Sequence, residues 1–346
     1  MNFNFYNPVE IVFNIPYTEA LSKIDSKDIL LITSAGFEKR GLIESSKKIL
    51  GNKLKKIISN VPTNPCIKYL KSLQNITESI QSIIAIGGGS VIDCAKILSI
   101  NSPFQIKDNV PTPEESKPFI PIYAFPTTAG TSSELTPWAT IWDKENNKKY
   151  SLHLRNLYCK AAFYDPSLML TLPKDITIST ALDALSHSVE SIWNKNANPI
   201  STNNATKAIE LILENLPKLS KDLHSLYLRE QITLASIFAG FAFGATQTAL
   251  AHAISYPLTI KKGIPHGIAC SFTLPFLFSQ LPESQAKQTL KIYQTPIKKL
   301  FSKLNIPTDF KNYNISKEEL KEILNSLNDR AKNSLFDIES IKNQLS

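Results

Sequence analysis

The chain has 346 residues and a mass of 38.6 kDa, more than one hydrophobic core usually organises, so we expect two domains. Its 42% apolar and 20% charged residues exclude a largely disordered protein, and it has neither a signal-peptide pattern nor an apolar run of the roughly 18 to 20 residues that span a membrane. The formal charge of +8 comes from scattered lysines rather than from basic clusters with aromatic residues, so we expect a cytoplasmic protein with no membrane or nucleic-acid partner.

The first half of the chain alternates β-branched runs with amphipathic segments. We predict strands over residues 29–33, 56–58, 83–86 and 120–125, with helices over 40–50, over 67–80 and after Ser90. Strands separated by crossover helices form parallel sheets that are covered on both faces, and such sheets bind ligands at the carboxyl ends of their strands. Residues 1–170 are therefore predicted to form an α/β dinucleotide-binding domain on a doubly wound parallel sheet.

From about Thr171 the apolar residues recur at helical spacing. We predict helices over residues 176–193, 203–214, 226–246, 247–257, 267–280 and 285–304, followed by one or two exposed helices in the lysine-rich C-terminal segment. Helix boundaries are expected near five prolines: Pro173, Pro199, Pro217, Pro257 and Pro265. Residues 171–346 are therefore predicted to form an all-α domain.

The cysteines are far apart in sequence and form no CxxC pair. We expect Cys66, Cys94, Cys159 and Cys270 to be reduced and mostly buried. Their spacing indicates neither a structural zinc site nor a redox dithiol.

Three glycines separate a predicted strand from a predicted helix, in the run Gly87, Gly88, Gly89 and Ser90, and Asp93 follows one turn later. The backbone amides of such a turn can approach a diphosphate closely, and the helix N-terminus favours its negative charge. A tight turn without a ligand is the alternative interpretation.

A second loop, over residues 125–134, also follows a predicted strand and carries five hydroxyl side chains around Gly130. Hydroxyl groups at this density suit ribose, phosphate and carboxamide groups. A polar capping loop explains the pattern equally well.

Asp183 and His187 are four residues apart, which places both on one face of a predicted helix. His252 and His266 follow, the second within a Pro-His-Gly run at a predicted helix start. One carboxylate and three imidazoles can form a cage for Fe²⁺ or Zn²⁺ with an open position for substrate, although each histidine taken singly is more often a core or surface residue. The two remaining histidines lack such a setting and are expected at the surface: His153 and His224.

Taken in chain order, these motifs resemble the iron-containing (group III) alcohol dehydrogenase family: GGGSxxD, PTTAGTxSE, DAxxH, and two later histidines of which the second lies in PHG. The similarity extends from Tyr6 to Pro275, over nearly the whole chain. It implies a nucleotide-binding α/β domain and a helical metal-binding domain, in the dehydroquinate synthase-like architecture. This agrees with the two domains predicted above.

The resemblance implies that Asp183, His187, His252 and His266 bind one divalent metal, with Fe²⁺ expected first and Zn²⁺ as the alternative. It implies NAD(P)H as the cofactor, contacted by a set of residues in the first domain: Asn64, Gly87, Gly88, Gly89, Ser90, Asp93, Thr127, Thr128, Thr136 and Lys149. The metal would act as a Lewis acid on a carbonyl oxygen while the nicotinamide delivers hydride to the carbonyl carbon. The implied activity is reduction of an aldehyde to a primary alcohol.

Two positions depart from the family pattern. Where many members have a histidine four residues after the third ligand, this chain has Tyr256, a candidate proton relay, with water or a ribose hydroxyl as alternatives. Where many NAD-preferring members have an acidic residue after the first strand, this chain has Ser34, followed by Lys39 and Arg40. A missing carboxylate removes repulsion against a 2′-phosphate, so Ser34 predicts that NADPH is accepted.

Within the family, residues 134–143, 190–199 and 252–257 are most similar to phosphonoacetaldehyde reductases, which make 2-hydroxyethylphosphonate. This similarity predicts phosphonoacetaldehyde as the substrate and a role in phosphonate biosynthesis. A dianionic phosphonate needs cationic or amide donors. The candidates are Arg155, Asn194 and Lys195, for each of which a solvated surface position is the alternative.

Two other functions stay open. A general alcohol or polyol dehydrogenase, or a dehydroquinate synthase-like enzyme, has the same architecture and differs in its substrate. A nucleotide-binding regulatory protein without turnover would have no physical need for a complete metal cage, and all the candidate ligands are present here. The sequence leaves the metal and the oligomeric state open, and on general frequencies we expect a homodimer.

Overall fold

The structure is a computed structural model that describes residues 2–108, 110–146 and 148–344. These residues divide into two compact units. The sheet unit contains residues 7–128 and 132–169, within the described ranges. The helical unit contains residues 2–6, 129–131 and 170–344.

A parallel sheet forms the centre of the sheet unit. Its described strands are β1 (Glu10–Phe13), β2 (Ile29–Thr33), β3 (Leu54–Ile58), β4 (Ser82–Gly87), β7 (Ile122–Pro126) and β10 (Ala161–Tyr164). They lie in the order β1-β10-β7-β4-β2-β3. Two antiparallel hairpins accompany it: β5 (Phe104–Lys107) with β6 (Val110–Pro113), and β8 (Trp138–Asp143) with β9 (Lys148–His153).

Both faces of this sheet are buried, as the run of β-branched residues predicts. In β2, Leu30 and Ile32 join the apolar cluster on one face, whereas Ile29 and Leu31 join the cluster on the other. The flanking helices of the unit are α1 (Tyr17–Lys23), α2 (Ala35–Lys39), α3 (Leu42–Leu50), α4 (Ile67–Ser72) and α5 (Gly89–Ser99). The predicted doubly wound parallel sheet is confirmed.

Two predicted helices of this unit have different bounds in the structure. The segment before residue 42 forms the separate helix α2, because Gly41 adopts a left-handed conformation, with φ of 72°, between α2 and α3. The helix predicted over 67–80 ends at Ser72, and a 3₁₀ turn covers Gln74–Thr77. β-Branched residues such as Ile76 and Thr77 lose side-chain freedom in a helix, which disfavours its continuation.

The helical unit confirms the prediction of a helical C-terminal half. Its described helices are α6 (Lys174–Ile192), α7 (Pro199–Leu219), α8 (Leu226–Thr246), α9 (Leu250–Lys262), α10 (His266–Ser271), α11 (Leu274–Gln280), α12 (Gln285–Leu304), α13 (Lys317–Asn325) and α14 (Ile338–Gln344). No single described helix is long and apolar enough to cross a membrane, and α8 and α9 meet that test only as a pair bent by 106°.

Two prolines predicted as helix boundaries lie inside helices instead. Pro217 is within α7 and Pro257 within α9, where each removes one backbone hydrogen bond. Burial of neighbouring apolar side chains, Leu216 in α7 and Leu258 in α9, offsets that loss. The helix predicted over 267–280 is divided into α10 and α11.

Candidate metal and cofactor sites

The structure brings the four candidate metal ligands together in the helical unit. Asp183 and His187 lie one turn apart on α6, His252 lies on α9, and His266 is the first residue of α10. Oδ1 of Asp183 lies 3.3 Å from Nε2 of His252 and 3.9 Å from Nε2 of both His187 and His266. The rings of His187 and His252 stack with centroids 4.5 Å apart. These side chains therefore form one cluster, which we call the donor cluster.

Gly267 explains how α10 reaches this cluster. A Cβ atom at Gly267 would clash with the backbone carbonyl of Ser179 on α6 and would lie 3.1 Å from Cβ of Asp183. Only a residue without a side chain allows the start of α10 to lie this close to α6. The Pro-His-Gly run therefore both starts the helix and places His266 beside Asp183.

The surroundings of Asp183 and His187 favour the protonation states in which these two side chains can bind a cation. Burial alone would raise the pKa of Asp183, but the surrounding imidazoles, His187 foremost, hold it well below its usual range. Burial lowers the pKa of His187 to about 4, so this imidazole is neutral at physiological pH. Asp183 thus offers a carboxylate and His187 offers a nitrogen lone pair.

A further carboxylate, Glu190, lies behind His252 and was not among the sequence candidates. It is fully buried, and its Oε2 lies 2.5 Å from Nδ1 of His252. The same carboxylate accepts backbone N–H groups at the start of α9, from Ala249 at 3.1 Å, Ala251 at 2.5 Å and His252 at 3.2 Å. Burial would raise the pKa of Glu190, but His252 and these donors lower it, so it is ionised.

In the neutral imidazole, the contact with Glu190 would place the ring proton of His252 on Nδ1 and leave the lone pair of Nε2 directed into the donor cluster. Burial lowers the pKa of His252, but Cys270, Glu190 and Asp183 together raise it well above its usual range, so a cation that binds Nε2 takes the place of a proton there. That Nε2 atom is buried and has no hydrogen bond to any described residue, although Asp183 is close. An acceptor nitrogen without a hydrogen-bond donor, beside a carboxylate and two more imidazoles, fits a divalent cation such as Fe²⁺ or Zn²⁺.

Cys270 also belongs to this region. The described cysteines are free, with Cys94, Cys159 and Cys270 buried and Cys66 partly so, as expected. The thiol of Cys270 donates to Oδ1 of Asp183 at 3.4 Å, and its sulfur lies within 4.8 Å of ligand atoms of Asp183, His252 and His266. Burial raises its pKa to about 11, so it is a neutral thiol that orients the Asp183 carboxylate.

Tyr256, the candidate proton relay, lies next to the cluster. Its ring is parallel to that of His266, with centroids 5.9 Å apart. Its hydroxyl accepts a hydrogen bond from Nη1 of Arg330 at 3.1 Å, and the same Nη1 donates to Oγ1 of Thr248 at 3.0 Å. Arg330 belongs to a 3₁₀ turn, Asp329–Asn333, and no sequence motif identified it.

In the sheet unit, the glycine turn joins β4 to α5, as predicted. Gly88 is the N-cap of α5, and the Thr127 amide donates to the carbonyl of Gly87 at 3.1 Å. A Cβ atom at Gly88 would lie 2.9 Å from Oγ1 of Thr128. The turn and the half-buried Thr127 and Thr128 are thus adjacent, and their contact with a cofactor stays a prediction.

Two other cofactor candidates contact the protein interior. The Asp93 carboxylate accepts from Oγ of Ser133 at 2.5 Å and from the amide of Thr140 at 3.0 Å. Thr136 is buried beside Lys96, whose amino group is fully buried. Lys96 donates to three backbone carbonyls, those of Ser133 at 2.5 Å, Thr136 at 2.7 Å and Trp138 at 2.7 Å. Asp93 and Lys96 therefore fasten residues 133–136 and the first part of β8 to α5.

The remaining cofactor candidates have separate settings. Ser34 is the N-cap of α2, directly after β2. Asn64 has a positive φ of 54°, and its amide donates to Oγ of Ser90 at 3.0 Å, which ties it to the glycine turn. Lys149 lies on β9 with its amino group 5.5 Å from the centre of the Trp142 ring.

The three candidate substrate residues do not share one setting. Asn194 is buried, its amide nitrogen donates to the carbonyl of Gln247 at 3.1 Å, and its oxygen accepts from the amide of Asn196 at 2.9 Å. Lys195 is exposed, and Arg155 belongs to the sheet unit. Both contacts of Asn194 hold the chain after α6. Among these candidates, the structure therefore gives Asn194 a positioning role. The surface histidines are exposed as expected: His153 and His224.

Two sequence profiles of one family match the chain. The profile described as iron-containing alcohol dehydrogenase matches residues 13–166. The profile described as the C-terminal part of the Fe-containing alcohol dehydrogenase family matches residues 177–337. Together they cover both units.

Individual proteins are similar over different lengths. The phosphonoacetaldehyde reductase of Streptomyces viridochromogenes is 34% identical over 63% of this chain and 58% of that protein. The NADPH-dependent butanol dehydrogenase of Clostridium saccharobutylicum is 28% identical over 94% of this chain and 91% of that protein. The crystal structure of sulfoacetaldehyde reductase from Bifidobacterium kashiwanohense in complex with NAD+ has a TM-score of 0.91 and 26% identity, covering 100% of this chain and 99% of that chain. Against several other relatives, the matched part of the chain spans 54% to 59% of their length.

Proposed function

This chain belongs to the iron-containing alcohol dehydrogenase family, and we propose that it is a metal-dependent enzyme that reduces an aldehyde to a primary alcohol with NAD(P)H. The observation that carries the proposal is the convergence of three imidazole nitrogens within 3.3 to 3.9 Å of Oδ1 of Asp183. A buried carboxylate beside three imidazoles fits a bound cation, because buried polar groups are stable only when they are paired. A nucleotide-binding protein without turnover would need no such set.

In this proposal Asp183, His187, His252 and His266 hold the metal. When bound, a divalent metal supplies Lewis-acid polarisation of a carbonyl oxygen, and reduced nicotinamide supplies the hydride. Tyr256, parallel to the His266 ring, is proposed to move a proton through its hydroxyl.

For the cofactor, we propose that the diphosphate lies on the turn from Gly87 to Ser90, where a glycine-rich N-terminus of α5 offers backbone amides. Two similar proteins have stated cofactors that differ, since one is NADPH-dependent and the other was solved with NAD+. Ser34 at the end of β2 supports acceptance of NADPH, because a serine does not repel a 2′-phosphate.

For the substrate, we propose phosphonoacetaldehyde, with a general alcohol or polyol dehydrogenase as the alternative. The proposal is supported by the 34% identity to a phosphonoacetaldehyde reductase and by the fold similarity to a sulfoacetaldehyde reductase. Both named substrates are two-carbon aldehydes that carry an acidic group. The cytoplasmic location, the homodimer and a role in phosphonate biosynthesis stay predictions.

The test is an initial-rate panel on protein reconstituted with Fe²⁺ or Zn²⁺. Phosphonoacetaldehyde, sulfoacetaldehyde, propionaldehyde and glycerol are compared with NADH, NADPH and their oxidised forms. Reduction of any aldehyde that requires the added metal supports the activity, and a higher kcat/KM for phosphonoacetaldehyde supports the substrate. No metal-dependent turnover with either nicotinamide overturns the proposal.

A further inference from the structure

We propose that Arg330, together with the hydroxyls of Thr248 and Tyr256, is the site that binds the anionic group of the substrate. This inference deepens the proposed function and rests on it. It assigns the Tyr256 hydroxyl to the anionic group in place of the proton relay, which then passes to water or a ribose hydroxyl. It replaces the residues that the sequence suggested for this role, which the structure distributes over different settings. The ligand chemistry is a tetrahedral oxyanion, either phosphonate or sulfonate, two bonds away from an aldehyde carbon.

Arg330 is connected to the donor cluster through a single side chain. Tyr256 lies on α9 one turn after His252, and its ring lies parallel to the His266 ring. Its hydroxyl accepts from Arg330 at 3.1 Å. One side chain thus connects the guanidinium directly to a residue of the donor cluster. An aldehyde held at the cluster with a substituent two bonds away would place that substituent near such a neighbour.

The three side chains of this site carry hydrogen-bond donors and one positive charge. Arg330 donates through Nη1 to two neutral hydroxyl oxygens, those of Thr248 and Tyr256. Because both oxygens accept from the guanidinium, their own protons are directed away from it. The result is a group of N–H and O–H donors around a permanent positive charge. A planar guanidinium matches two oxygens of a phosphonate or sulfonate better than a lysine does.

The turn that carries Thr248 is held in a fixed conformation. Thr248 is buried and follows Gln247, whose φ of 68° lies in a region that side-chain-bearing residues rarely adopt. Such strained positions persist only where the surroundings fix them, and they cluster at ligand sites. The turn is fixed from the C-terminal segment, because Nδ2 of Asn333 donates to the carbonyl of Thr248 at 3.2 Å.

The segment that carries Arg330 is itself fastened to the end of α6. The amide of Lys195 donates to the carbonyl of Asn333 at 2.7 Å, and the amide of Leu335 donates to the carbonyl of Trp193 at 3.1 Å. Asn328 caps the turn by accepting from the Arg330 amide at 3.1 Å. The guanidinium therefore approaches Thr248 and Tyr256 from a backbone that is held at several points, as a binding site requires.

The test compares Arg330→Met and Arg330→Lys with a control, Lys332→Met, which removes an exposed cation from the same 3₁₀ turn. For each protein, kcat/KM is measured for phosphonoacetaldehyde, sulfoacetaldehyde and propionaldehyde. The ratio of anionic to neutral aldehyde should fall about 100-fold in Arg330→Met, because two charge-assisted hydrogen bonds are lost, and should recover in part in Arg330→Lys. Lys332→Met should keep the wild-type ratio. Comparing kcat/KM for phosphonoacetaldehyde with that for sulfoacetaldehyde shows whether phosphonate or sulfonate is preferred.

A second measurement separates this inference from the proposed substrate. Phosphonoacetate, which cannot be reduced, is titrated as an inhibitor of propionaldehyde reduction, and metal content and melting temperature are recorded. If the wild type rejects both anionic aldehydes but phosphonoacetate inhibition depends on Arg330, the substrate is wrong and the anion site stands. If anionic aldehydes are preferred and Arg330→Met keeps that preference, the anion site is wrong and the substrate stands. An equal loss of kcat/KM on all three aldehydes in both Arg330 variants would show that Arg330 only stabilises the structure, and it would overturn the inference. Where Arg330→Met fails to fold, Thr248→Val supplies the same comparison.

Discussion

The Glu190 carboxylate lies 2.5 Å from Nδ1 of His252, and this contact fixes which ring nitrogen of His252 faces the donor cluster. It does so from a position that also accepts the first backbone amides of α9. One buried carboxylate thus sets both the start of the helix and the tautomer of a ligand carried on it. Positioning of the ligand and stability of the helix are coupled through Glu190.

Replacing Glu190 by Gln should weaken metal binding about 10- to 100-fold. Gln has one acceptor oxygen, so if that oxygen keeps the α9 amides, its NH₂ group faces Nδ1 of His252 and moves the ring proton to Nε2. We would measure the Kd for Co²⁺ by chelator competition and the imidazole tautomer of the metal-free protein by ¹⁵N NMR. Glu214→Gln, an exposed change on α7, is the control. Unchanged affinity and an Nδ1-protonated His252 in Glu190→Gln would contradict the assignment.

The fourth metal ligand can be decided between His187 and Cys270. Nε2 of His187 is 3.9 Å from Oδ1 of Asp183, while the Cys270 thiol donates to the same oxygen at 3.4 Å. Because the thiol has a pKa of about 11 and the imidazole one of about 4, only the imidazole offers a lone pair without losing a proton at neutral pH. His187→Ala should lower metal affinity by an order of magnitude or more, and Cys270→Ala should change it less. The reverse order would make Cys270 the ligand.

Much of the fold follows from local patterns in the sequence. Strands β2 and β4 are runs of Ile and Leu because both of their faces are buried, and this makes them recognisable. The short strands β1 and β10 are outside the predicted set. β1 is only four residues long, and β10, with the sequence Ala161-Ala162-Phe163-Tyr164, lacks β-branched residues. Pro257 was predicted as a boundary because the sequence does not reveal that packing offsets a lost hydrogen bond.

Helical spacing in the sequence predicts which residues of α6 share the donor cluster, but the sequence does not predict contacts between distant segments. Asp183 and His187 are one helical turn apart, and Glu190 lies on the same face three residues later, so the spacing also contains a signal for Glu190. Arg330 and Tyr256 are 74 residues apart, and no periodicity connects them. Such pairs become visible only once the C-terminal segment is placed against α9.

The proposed role of the glycine turn, Gly87 to Ser90, can be tested with a variant that controls for a steric clash. Gly88→Ala should raise the KM for NAD(P)H, because a methyl group obstructs the backbone amides of the turn. The new Cβ atom would also lie 2.9 Å from Oγ1 of Thr128, so a local shift could produce the same effect. Thr128→Ala combined with Gly88→Ala removes that clash. If the double variant binds cofactor as well as Thr128→Ala alone, the diphosphate does not rest on Gly88. Metal content should be unchanged throughout.

Gly267 links the packing of two helices to the completeness of the donor cluster. In Gly267→Ala the methyl group meets the carbonyl of Ser179, which is backbone and cannot rotate away, so α10 must move from α6 and carry His266 with it. We expect a loss of about 1 to 3 kcal/mol in the free energy of unfolding of the metal-free protein, typical of an overpacked contact. We also expect metal affinity to fall towards that of His266→Ala, because the same ligand is displaced in one case and removed in the other. The comparison uses thermal unfolding of the metal-free proteins and chelator competition with Co²⁺ on both variants. If Gly267→Ala is destabilised yet binds metal like the wild type, His266 is not held in place by this contact, and the Pro-His-Gly run serves the fold alone.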